Sequence, residues 1–362
     1  MTARALPCDL CGVLNTTLSR GCLAFALLGW AWLGGGAGCL GAKPPPPTEL
    51  CPGSAVVEPA NSGEHTYVLD YPGGILDARG VDWVGQEPEA VEIEGDEPGC
   101  FQGGRMTGTW DYAAPWETFH TTAAVSVRTV KQPTRVHAVH AQNYGDGVSV
   151  EFYVPCPNGS LVPWVYIRSN HLEDLHDDAI EVDGLCAAEI FDNLIDRTFV
   201  GFGFRNRSSD PNASGSQNTV IVEKNLVRLH AFPNNYEGEP EHGGFWKWAH
   251  EGHGPRIKVR NNRFLAFDTP SGPLFPYVTR VADCVNNVLL FAGSEAEWSA
   301  ALASNCDDDG DDGLCDGQRM LALASCYSVI TKPDTQTEAD FLAAHWDPHV
   351  ASWKATHGAD NE

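Results

Sequence analysis

Apolar and polar residues alternate with period two over short runs through the middle of the chain, and the runs recur. Residues 165–204 hold the pattern twice, as VYIRSNHLEDLHDDAIEVDG and LCAAEIFDNLIDRTFVGFGF. Each half reads as an alternating strand, an Asn, a short polar turn and a second alternating strand. Asn170 precedes the turn in the first half and Ala179-Ile180-Glu181-Val182 follows it; Asn193 and Gly201-Phe202-Gly203-Phe204 hold those places in the second. Asn143 upstream, and Asn225, Asn262 and Asn287 downstream, continue the series at separations from the low twenties to the high thirties. Uniform helical repeats rarely vary that much, whereas coils of short strands tolerate insertions between them. The β-branched, period-two positions Val220, Val222, Ile257 and Val259 favour strands. The pattern predicts a stack of short-stranded coils, each touching mainly its neighbours.

This pattern resembles the right-handed parallel β-helix of pectate-lyase-like proteins, over roughly residues 55–295. In that family Asn residues at one turn stack into a ladder, because a turn buried between coils must satisfy its polar groups. The resemblance implies an all-β chain wound as a single-stranded right-handed parallel β-helix, a solenoid, with a short α-helical C-terminal segment. It speaks to fold rather than activity. The chain also resembles a group of uncharacterised exported bacterial β-helix proteins that share DDAIE, DNLIDRTFVG, FWKW and a closing Trp-Lys segment.

Charge and the N-terminus place the chain. A net charge of -25 excludes a phosphate backbone as the natural partner and favours cations or a cation-bridged anionic polymer. Residues 1–39 read as a signal peptide: Arg20, an apolar run at 22–33 too short to span a membrane comfortably, and a small-residue end. Gly36-Ala37-Gly38-Cys39 resembles a bacterial lipobox, which makes Cys39 the lipidated first residue and the membrane a partner through that anchor alone. Plain secretion with cleavage near Ala42 is the other reading. Residues 40–54 form a Pro-rich linker. Beyond Cys39, eight cysteines remain (Cys51, Cys100, Cys156, Cys186, Cys284, Cys306, Cys315 and Cys326), an even set that permits disulfides in an exported chain. Alternatively Cys100, Cys186 and Cys284 are small buried residues of the coil interior.

Three stretches offer chemistry. Aligning the coils on their Asn residues puts Asp146 opposite Asp178 with Asp177 adjacent, each just before an alternating strand. Adjacent coils lie ~4.8 Å apart, so these carboxylates cluster, perturb one another and divide acid and base roles or hold a cation. The arrangement is similar to that of the polygalacturonase family, whose catalytic carboxylates sit on Asn-x-Asp-Gly and Asp-Asp motifs of successive coils. It departs from the family in two ways. Asn143-Tyr144-Gly145-Asp146 is one residue longer than the motif, and Phe199-Val200-Gly201 stands where the family has Gly-His-Gly. Turn residues alone explain Asp and Gly equally well. The second stretch is Trp246-Lys247-Trp248. As a strand it puts both Trp residues on one face, either outward as stacking surfaces for sugar or inward as core. The inward version leaves Lys247 projecting beside Glu181, next to the acidic cluster. The assignment is Asp146, Asp177, Asp178 and Lys247 as catalytic residues, with Glu181, Trp246 and Trp248 as substrate-binding ones.

The third stretch lies in residues 296–362, which read as an acidic loop followed by a helical cap. In CDDDGDDGLCD, Asp307, Asp309 and Asp311 alternate around Gly310 like the start of a calcium loop, which makes Ca2+ the expected cofactor; a solvated surface loop is the alternative. Residues 337–357 read as two short helices with Asp347 as N-cap, laying Phe341, Trp346, Val350 and Trp353 against the end of the stack. No Gly-x-Ser-x-Gly, P-loop, dinucleotide fingerprint or HExxH occurs. The sum is an exported, lipid-anchored monomer that binds or cleaves polysaccharide. The alternative is a non-catalytic structural or adhesive surface lipoprotein.

Overall fold

Alternation becomes architecture in the computed structural model of the chain. It describes residues 75–86, 88–95, 100–128, 133–152, 156–160, 163–205, 213–234, 242–248, 253–267, 274–276, 280–304 and 326–358, with strands at 56–57 and 66–68. The described part is mostly β, in two open parallel sheets of nine and fourteen strands. Chain order alternates between them. Thr134–His137 joins the first sheet, and His140–Gln142 and Asp146–Glu151 join the second. Val165–Arg168 returns to the first sheet and His171–Asp183 runs along both halves of the second, followed by Ala188–Phe191 and Leu194–Phe204 in the same places. Each turn of chain lies parallel to the one before, a solenoid-like stack.

Period two sorts the side chains. Val125, Val148, Ile180, Phe202 and Trp246 are register partners in one interior row, all buried in the main core. The neighbouring outward row runs Glu92, Ser126, Ser149, Glu181, Gly203 and Lys247.

The corner between the sheets is a left-handed residue followed by a ladder position. Ser169, Asp192, Lys224, Asn261 and Asn286 have φ between 54° and 60°. Asn170, Asn193, Asn225, Asn262 and Asn287 follow them. Each of the first four amides donates to the next Asn Oδ1 at 2.8–3.0 Å, and each of those accepting Oδ1 atoms also takes the preceding Asn backbone N–H. Asn143 is not a rung, contrary to the sequence alignment. The equivalent corner of its coil is Ala138-Val139, where Val139 N–H donates to Asn170 Oδ1 at 3.0 Å without an amide of its own. Asn143 stands at the next corner, in the left-handed position it shares with Asp174 and Arg197.

The C-terminal segment differs from expectation in four ways. Tyr327–Thr331 adds one more parallel strand, paired with Asn287–Phe291. Trp298, on helix Glu295–Ser304, enters the core beside Phe291 and Phe275. Helices Glu338–His345 and Asp347–His357 lie along the outer side of the stack rather than over its end. Phe341 and Trp346 pack on Leu265 and Leu290, whose outward positions are apolar where other coils carry polar groups. Trp346, not Asp347, is the N-cap of the last helix, and Thr337 caps the one before it through Asp340 N–H. Cys100, Cys186 and Cys284 are not free core residues: all three are disulfide-bonded, Cys186 to Cys156 and Cys284 to Cys326. Among the described residues no helix is long and apolar enough to cross a membrane. Cys39, the 40–54 linker, Asp307, Asp309 and Asp311 lie outside the described residues.

Candidate functional site

The site is built on the outward face of the second sheet, across four successive coils. Val148 pairs with Ile180, which puts Asp146 and Asp178 at equivalent places on adjacent strands. The register against the following strand slips between Leu175 and Asp178. This coil carries one residue more than its neighbour there, and such bulges re-aim side chains. Here the extra residue brings Asp177 to the cluster as well as Asp178. Donor oxygens of Asp146, Asp177 and Asp178 all fall within 4.8 Å of one another. Asp146 Oδ1 accepts the Asp178 backbone N–H at 3.0 Å.

Lys247 reaches this cluster because the residue between them is glycine. Lys247 is the register partner of Gly203, itself the partner of Glu181. A Cβ at Gly203 would stand 2.5 Å from Asp178 Oδ2. Through that gap Lys247 Nζ donates to Asp178 Oδ2 at 3.0 Å and lies 3.5 Å from Asp177 Oδ1. On the other side His120 Nδ1 is 3.2 Å from Asp177 Oδ2. His120 comes from residues 110–122, which close over the corner at Gly145. A Cβ there would meet Phe119 O at 2.1 Å, and Gly145 N–H donates to Thr122 Oγ1 at 2.8 Å. The Phe119 ring stacks on the buried His176 ring at 3.6 Å, which fixes this segment against the coil.

Burial and mutual repulsion govern protonation. Burial, and then the charges of Glu181, Asp177 and Asp178, hold the Asp146 carboxyl well above the usual range. Burial and the Asp177 charge push Asp178 up to about 8, against the pull of Lys247. Burial works against the charge on Lys247, but Asp178 and Asp177 outweigh it and keep its ammonium more firmly protonated than a free lysine. Asp178 is only 1 % exposed, and its Oδ1 has no hydrogen-bond partner among the described residues. Three carboxyls at this spacing are the hard oxygen set that a divalent cation takes, and the Lys247 ammonium stands among them.

Asp146 connects the cluster to a cleft of about 320 Å³ lined also by Glu89, His120, Arg128, Ser149 and Glu181. Glu181 is held by Arg205 at 2.6 Å and receives Ser149 Oγ at 3.3 Å. Arg128 bridges Glu89 at 2.6 Å and Glu92 at 2.9 Å. The cleft walls are thus charged but internally paired.

The structure brings together Asp146, Asp177, Asp178 and Lys247, with Glu181 three residues beyond Asp178 and in the outward row of Lys247. It does not offer the tryptophans to a ligand. Trp246 and Trp248 are 2 % and 5 % exposed, stacked in the interior on Phe202 and Phe204. The expectation of stacking surfaces is corrected there: inward is the apolar parity of that strand. Sequence reading missed His120, Gly203, Arg128 and Arg205. His120 carries no local signal, since only the folding of residues 110–122 over Gly145 delivers it. Comparison of the chain with protein-family models, with curated proteins and with solved structures finds no match.

Proposed function

We propose that this is an exported, lipid-anchored β-helix protein that binds and cleaves polysaccharide at the Asp146–Asp177–Asp178–Lys247 cluster. Right-handed winding is part of the reading, because parallel strands of one sheet are joined almost always by right-handed crossovers. One observation carries the activity: a carboxyl whose pKa is held well above the usual range, Asp146, opens onto the cleft beside a second carboxyl, Asp177, flanked by Lys247 and His120. Asp146 is the proton donor to the glycosidic oxygen and Asp177 the acceptor, the division of labour that paired carboxyls use on glycosides. Asp178 positions both, through its backbone N–H to Asp146 and its carboxyl to Lys247. Glu181, held by Arg205, lines the approach for a polar chain.

Export is supported by the disulfides Cys156–Cys186 and Cys284–Cys326, since such bonds persist in oxidising compartments. Anchoring rests on Cys39, and Cys39→Ala is expected to leave an unprocessed precursor in a membrane-fraction blot; unchanged processing means ordinary secretion. The activity is tested with purified protein on a polysaccharide panel, read by reducing ends and by unsaturated-product absorbance. The first readout reports hydrolysis; both together report elimination. Asp178→Asn is expected to abolish turnover with the fold retained by circular dichroism, and full activity in that variant places the site elsewhere. The burial of Asp178 favours a second reading, a non-catalytic glycan-binding surface protein. That reading prevails if the parent binds glycan and turns over none.

A further inference from the structure

A second cluster lies on the other half of the same sheet. His140 and His171 are register partners on adjacent strands, and Glu173 lies two residues beyond His171 on the same outward face. Their imidazoles stack with centroids 4.4 Å apart. Both Nε2 atoms face one carboxylate: His140 Nε2 is 3.3 Å from Glu173 Oε1 and His171 Nε2 is 3.5 Å from Oε2. All three donor atoms lie within 4.8 Å of one another.

His140 Nε2 and Glu173 Oε1 make a long hydrogen bond, and the same spacing suits ligation. Two ligands each about 2.1 Å from a tetrahedral Zn2+ ion stand about 3.4 Å apart. The two observed separations bracket that value and exceed the usual N–H···O distance of about 2.9–3.0 Å. His171 is 7 % exposed, and its buried Nε2 makes no hydrogen bond, although buried polar atoms are nearly always satisfied. That nitrogen is aimed at Glu173, and with the ring proton on Nδ1 its lone pair faces a cation there. The nearest competing charge is Arg197, 4.0 Å from Glu173 Oε2, but it is committed to Asp174 by two hydrogen bonds of 2.6 Å. Trp353 of the last helix lies over His171, ring centroids 5.9 Å apart, and shields the group from bulk water.

We propose that His140, His171 and Glu173 bind one divalent transition-metal ion of the Zn2+ class. Two imidazoles and a carboxylate suit that class better than Ca2+ or Mg2+. The ion fastens two neighbouring coils beneath the C-terminal helix. The site is separate from the acidic cluster and does not depend on the activity proposed there.

The test titrates chelator-stripped, oxidised full-length protein with Zn2+ by calorimetry and with Co2+ by visible absorption. A single equivalent of Zn2+, a rise in Tm and the strong d–d absorption of four-coordinate Co2+ are expected. His140→Gln is expected to remove all three signals, while Asp177→Asn in the acidic cluster keeps them. His171→Asn should do the same as His140→Gln. Because His171 is buried, circular dichroism accompanies each variant and His140→Gln decides the matter. A parent that binds no Zn2+, binding that survives His140→Gln, or binding lost only in Asp177→Asn overturns the proposal.

Discussion

Asp178 sets position against charge more sharply than any other described carboxyl whose value is resolved. Its pKa of about 8 in the fold compares with about 3.9 in an unfolded chain. Between those values the folded protein keeps a proton that the unfolded chain has released. The stability this group contributes is therefore complete below about pH 4 and is lost as pH rises through about 8. Asp178→Asn keeps the shape of the protonated acid and removes its share of that loss. Urea midpoints across this range should fall with pH in the parent and fall less in the variant, with Asp146 supplying the remaining slope. Equal slopes would assign the titration to another group. Gly203 is the companion case. A methyl group there meets Asp178 Oδ2 at 2.5 Å and Cγ at 3.0 Å, so Gly203→Ala must displace the carboxyl and detach Lys247. Overpacking of this kind costs about 1–3 kcal/mol. Denaturant unfolding measures it, and no loss would mean that the pair relaxes freely. Lys247 was legible in the sequence because strand parity aims it outward beside Glu181, and Asp178 because aligning the coils sets it opposite Asp146. Gly203 was not, because a glycine in an alternating run does not say whose side chain fills its place.

At the scale of elements the ladder holds the corner between the sheets. Asn193 accepts from Asn170 N–H at 3.0 Å and Nδ2 at 2.9 Å, and donates to Ile167 O at 3.0 Å and Asn225 Oδ1 at 2.8 Å. Replacing it with Leu orphans a buried donor and a buried acceptor at once, each costing about 1–3 kcal/mol. Asn193→Leu is therefore expected to cost roughly 3 kcal/mol or more in urea unfolding. A loss within the range of an ordinary surface substitution would remove the ladder as a source of stability. The sequence revealed the ladder through its spacing but misplaced one rung. Asn also favours the left-handed conformation, so Asn143 suits the second corner as well as the first. Only strand pairing reveals that Val139 occupies the rung position. The side-on helices were hidden for a related reason. Leu265 and Leu290 belong to runs that are apolar on both parities, and such a run reads as buried strand without saying what covers its outer face.

The described coils form a stack, and a stack distributes its stability among neighbours instead of pooling it in one core. Its cysteines show the consequence. An even set was legible in the sequence and the pairing was not, because pairing depends on register across insertions of unequal length. Cys156–Cys186 and Cys284–Cys326 span 30 and 42 residues. Chain-entropy arguments give loops of those lengths about 3.5–4 kcal/mol each. The second bridge joins the strand Val281–Val285 to the residue that precedes Tyr327–Thr331. Helix Asp347–His357, by contrast, is fastened four coils earlier: Trp353 Nε1 donates to Asp192 O at 2.9 Å and His357 Nε2 lies 3.1 Å from Asp192 Oδ2. Removing the second bridge should therefore loosen the last strands first, while the helices stay pinned through Asp192 and the interior rungs stay shut. For the Cys284→Ser/Cys326→Ser double variant, hydrogen exchange is expected to speed up at 287–291 and 327–331. The amides of Asn170, Asn193 and Asn225 should keep the parent's protection. Uniform loss of protection along the chain would show instead that the coils unfold as one cooperative unit, with both bridges stabilising all of it.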